Sequence, residues 1–92
     1  VKKTFKATNT CVIVKRFKEM QEKFAPIGDQ DIDKLKFLDG EIIDIGKSVD
    51  REEYKIGDII HTAEFTASDL GDGFYVVDIN DVMCKVLYEE ED

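Results

Sequence analysis

The chain has 92 residues, 42% hydrophobic and 10% aromatic, enough for one domain with a single modest core and too few for a second domain or a deep enclosed substrate cavity. Its 21 acidic against 13 basic residues leave a formal charge of −8, which repels phosphate backbones and anionic lipid and argues against nucleic acid and membranes as partners. No run approaches the roughly 18 apolar residues of a membrane span, and "VKKTFKATN" lacks the apolar centre of a secretory signal, so a cytoplasmic location is the default expectation.

Short β-type runs dominate. "CVIVKRF" (11–17) opens the series, with Val12 and Val14 expected to face inward on one parity. The stretch 17–39, "FKEMQEKFAPIGDQDIDKLKFLD", breaks the pattern. Its first eight residues can be drawn as a helix and "DIDKLKFL" as a helical turn or a strand, while Pro26 and Gly28 interrupt any continuous element. It is either an ordered excursion or a mobile binding loop. "GEIIDIG" (40–46) resumes the strands, with Ile43 and Ile45 expected inward, and the Ile56-Gly57-Asp58 turn delivers "DIIHTAEF" (58–65). "GFYVVDI" (73–79) and "VMCKVLY" (82–88) follow, and 88–92, "YEEED", is an acidic tail. This spacing predicts a single all-β domain over 1–92, a small, mostly antiparallel barrel of about five core strands.

Catalytic chemistry has no anchor in the sequence. His61 is the single histidine, placed by alternation on the same strand face as Ile59 and Ala63, with no ligand or nucleophile spacing beside it. Cys11 and Cys84 are too few and too far apart for a disulfide framework or a zinc site and read as small strand-packed thiols. "DQDID" (29–33) lacks the spaced donors and closing Glu of a calcium loop, and the glycines are too scattered for a phosphate cradle. A non-enzymatic protein without metal or cofactor is the expectation.

Four segments in order carry a family resemblance: "VIVKR" (12–16), "GEIIDIG" (40–46), "YKIGDII" (54–60) and "YVVDINDVMCKV" (75–86). Together they resemble the GroES-type co-chaperonins, the lids of chaperonin rings, over about residues 10–87. The resemblance implies a GroES-like β-barrel in which 17–39 is the mobile loop that docks on a chaperonin ring while that ring hydrolyses ATP. It places the apolar anchor on Ile27, preceded by Ala25 and Pro26 where the family usually has glycines and followed by Gly28 and Asp29 where it has apolar residues. Phe24, Ile32 and Leu35 are the further candidate contacts. It also implies a homo-oligomeric ring, a heptamer, in which an N-terminal strand around 4–10 pairs with the neighbour's strand at 82–88. "KSVDREE" (47–53) is shorter than the roof hairpin of bacterial lids, as in phage-encoded co-chaperonins. The competing class is a structural or protein-interaction barrel that binds no chaperonin.

Overall fold

A computed structural model describes residues 3–17 and 36–88. Six strands form one antiparallel sheet: β1 (Cys11–Arg16), β2 (Phe37–Ile45), β3 (Ile59–Ala63), β4 (Ala67–Gly71), β5 (Phe74–Asp78) and β6 (Val82–Val86). Their spatial order is β4-β5-β1-β2-β3-β6. Short 3-10 turns at Glu64–Thr66 and Ile79–Asp81 lead into β4 and β6. Among the described residues there is no α-helix, and none long and apolar enough to cross a membrane.

The sheet curls around one core. Val12 and Val14 of β1, Leu38, Ile42 and Ile45 of β2, Ile60 of β3 and Val77 of β5 are buried together with Val49 from the β2–β3 connection. Ala67 from one edge strand and Val82 from the other both pack against this cluster, so the two edges converge on the same interior. The result is a small barrel left open between β4 and β6. Among the described residues one polar side chain, Thr62, is fully buried, and its Oγ1 is satisfied by donating to the Asp81 carbonyl at 2.9 Å.

Val12, Val14 and Ile45 face inward as expected, whereas Ile43 is 41% exposed and Ile42 takes the core position. The register explains the exchange. Ile13 pairs with Asp44 and Val14 with Ile42, so Ile43 is the extra residue of a β-bulge. A bulge reverses the alternation of its strand, which lets Ile42 and Ile45 point the same way. The sixth strand, β4, is the other departure, pairing with β5 through a tight turn in which Gly71, Asp72 and Gly73 have φ of 97°, 57° and 86°.

The boundaries of the long connection also shift. Phe37, Leu38 and Asp39, expected within the loop 17–39, belong to β2, and Phe17 N–H donates to the Asp39 carbonyl at 2.8 Å. At the other end Tyr88, assigned to the acidic tail, packs on Phe17 with ring centroids 5.1 Å apart, and 89–92 lie outside the described residues. Residues 46–58 form turns without strands; Val49 is buried among them, and the Arg51 guanidinium donates to the Ile45 carbonyl at 3.1 Å.

Candidate functional site

The sheet has one end where a connection far exceeds what the topology needs. β1 and β2 are direct antiparallel neighbours, which a two-residue turn suffices to join, yet residues 18–35 separate Phe17 from Lys36. Phe24, Ala25, Pro26, Ile27, Ile32 and Leu35, the residues expected to contact a chaperonin, all lie in this segment, outside the described residues. What the structure does define is the base that carries it.

That base is held from both faces of the sheet. Arg16 has the inward parity of Val12 and Val14, and its guanidinium donates to Tyr75 Oη at 3.1 Å and Glu64 Oε2 at 3.0 Å, with the cation 5.4 Å from the Tyr75 ring centroid. The Tyr75 hydrogen bond, opposed by partial burial and reinforced by Glu64, raises the Arg16 pKa, so this cation stays charged at every working pH. The Arg16 amide donates to the Gly73 carbonyl at 2.8 Å and the Glu64 amide to the Lys36 carbonyl at 2.9 Å. β1, β2, the β4–β5 turn and the turn after β3 are thereby tied together.

On the outer face, Asp39 and His61 are cross-strand partners, with Nδ1 2.6 Å from Asp39 Oδ1, and the imidazole stacks on Phe37 at 4.9 Å. The sequence placed His61 on the correct face but gave it no partner, because pairing 22 positions away depends on strand register. Cys84 lies opposite His61 on β6 and is exposed, contrary to the packed thiol expected, because β6 is an edge strand among the described residues, while Cys11 is half-buried. Among the described residues no group of three His, Cys, Asp or Glu side chains is arranged to hold a metal.

The two elements expected at a subunit seam are each one-sided. Among the described residues β6 pairs only with β3, and Met83, Leu87 and Tyr88 in and beyond it are 59%, 81% and 48% exposed. Residues 3–8 form no strand within the chain. Phe5 borders a groove of about 400 Å³ with Ile13, Ile43, Leu70 and Phe74, on the side of the sheet opposite the core. No family model matches this chain, and no curated protein matches it.

Proposed function

We propose that this protein is a co-chaperonin of the GroES type, a lid subunit that caps a chaperonin ring through residues 17–39 and encloses a client protein while the partner ring hydrolyses ATP. The observation that carries the proposal is the base of the long connection. Arg16 pairs with Gly40 and Phe17 bonds to Asp39, so β1 and β2 are already joined at this end of the sheet, where a far shorter turn would connect them. A compact domain keeps so long a connection for function. Its place in the chain between β1 and β2 of an all-β sheet supports the resemblance's reading of it as the docking element.

Assembly into a ring, a heptamer by resemblance, is supported by two elements with room for a further strand partner among the described residues. An edge strand such as β6 invites a further strand, and in this reading the N-terminal segment around 4–10 of a second copy supplies one to 82–88 in a heterologous, closing contact. The acidic tail sets like charges near this seam, which makes the ring concentration-dependent. Each docking contact contributes little, because one fully buried apolar side chain such as Ile27 is worth about 1.5–3 kcal/mol. Several copies held on one ring convert that into a firm cap. No catalytic residue is required of the lid.

The test is size-exclusion chromatography of the chain with a GroEL-like chaperonin ring, with and without ATP. Nucleotide-dependent co-migration is expected. A chain that never co-migrates under any nucleotide condition returns the protein to the class of interaction barrels.

A further inference from the structure

The outer face of the sheet carries a row of three chemistry-bearing side chains from three neighbouring strands. β2, β3 and β6 are consecutive strands; Asp39 lies opposite His61, and His61 opposite Cys84. Directly opposed residues of an antiparallel pair share a face, with Cβ atoms about 4.5–5.5 Å apart. The face is the outer one, because Ile60 and Thr62, on either side of His61 in sequence, are buried.

The order within the row matters. His61 is fixed from β2 by Asp39, 2.6 Å from Nδ1, and by the Phe37 ring stacked on it. A neutral imidazole that donates Nδ1–H to a carboxylate keeps Nε2 as its basic atom. Cys84 stands on the side of His61 away from Asp39, exposed and with a free thiol. Among the described residues no hydrogen bond joins this thiol to the ring; the two side chains are direct cross-strand neighbours on one face.

We infer that Cys84 is a reactive thiol that forms mixed disulfides with small cationic disulfides, with His61 as its base and Asp39 as the residue that positions His61. His61 Nε2 takes the Sγ proton, and the thiolate attacks one sulfur of the reagent disulfide RSSR. The bond from Cys84 Sγ to that sulfur forms as the RS–SR bond breaks, and the departing RS⁻ recovers the proton from His61. The reagent is the oxidant, Cys84 is oxidised and the leaving sulfur is reduced, so no other reactant is needed. The preference for a cation follows from the charges facing the row. Asp39 and Glu41 project from β2 on this face, whereas Lys85 lies on the opposite parity, facing Ile60, and is held by the Glu53 carbonyl and Asp58. Tyr88 packs on Phe17, and Lys15, opposite Glu41 on β1, lies on this outer face with its Nζ drawn over the Phe74 ring, 5.4 Å from the centroid and away from β3 and β6. The inference is independent of chaperonin binding.

The experiment uses the full chain in a Cys11→Ser background, treated with cystamine or oxidised glutathione and followed by intact mass across pH 6–10. At pH 7 the native chain is expected to react faster than the urea-unfolded chain, and faster with cystamine than with glutathione disulfide. His61→Gln and Asp39→Asn are each expected to slow the pH 7 reaction about fivefold, the gain in thiolate fraction being partly offset by lower nucleophilicity. At pH 10 the three proteins should react alike, because an ordinary thiol with pKa about 8.5 is then ionised without help. Equal rates for native and unfolded chains at pH 7, equal rates for wild type and variants there, or a deficit that persists at pH 10 would each overturn the assignment.

Discussion

Val14 lies directly over Gly40: a Cβ added to Gly40 would come within 2.6 Å of Val14 Cγ2 and 2.7 Å of Val14 Cβ. Gly40 has no positive φ, so the requirement for glycine is steric and arises where β1 and β2 close at the base of the long connection. Gly40→Ala should therefore destabilise the fold by about 1–3 kcal/mol, as overpacking of a buried site does. Gly46→Ala should cost more, since its Cβ would meet the Asn9 and Thr8 backbone, which cannot rotate away. Urea unfolding of both variants measures the difference, and a neutral Gly40→Ala would show that the strands separate freely there.

The bulge at Ile43 makes neighbouring isoleucines unequal. Ile42 is fully buried, so Ile42→Ala is expected to cost about 2–4 kcal/mol, in the range of large-to-small core substitutions. Ile43→Thr, at a half-exposed position, should stay within about 0.5 kcal/mol of wild type. Equal losses in denaturant titrations would mean that the strand keeps a regular alternation.

Strand placement was legible because "CVIVKR", "IIHTA" and "FYVVD" concentrate β-branched and aromatic residues between glycine and aspartate turns. The bulge was not, since one inserted residue leaves no local trace and reveals itself only in pairing with β1. β4, "ASDLG", has no β-branched or aromatic residue; it is a strand because the turn at Asp72 folds it onto β5. Phe37 to Asp39 were ambiguous for a related reason, as their pairing with Ala63, Thr62 and His61 is long-range. The Asp39–His61–Cys84 row is invisible in sequence, because three strands far apart in the chain must align to form it.

Arg16 joins Tyr75 and Glu64 at a partly buried site, and the planar guanidinium suits two partners that an ammonium cannot serve in the same geometry. Arg16→Lys should lower stability by about 1 kcal/mol, and Tyr75→Phe by about 0.5–1.5 kcal/mol. In a double-mutant cycle the two should be non-additive, because both remove one hydrogen bond. Strict additivity would separate the pair.

Asp58 closes the turn that delivers β3. The Lys55 amide donates to its carboxylate at 3.0 Å and Lys85 Nζ lies 3.4 Å away, and these contacts, the Lys55 bond foremost, outweigh partial burial and lower its pKa. The unfolded chain therefore takes up this proton at a higher pH than the folded one, so the contribution is complete at neutral pH and lost as pH falls through the lowered folded value. The stability gap between wild type and Asp58→Asn should hold from pH 7 to about 5 and shrink below the usual carboxylate pKa of about 4. A gap unchanged down to pH 3 would remove the linkage.

The most direct test of the central claim is pull-down of the chain on a GroEL-like ring in ATP, comparing wild type, Ile27→Asp and a deletion of residues 24–35. The account predicts that wild type is retained, that the deletion is lost and that Ile27→Asp is strongly weakened, with the barrel intact by circular dichroism in all three. Retention of both variants at the wild-type level, or no retention of wild type in any nucleotide state, would contradict it.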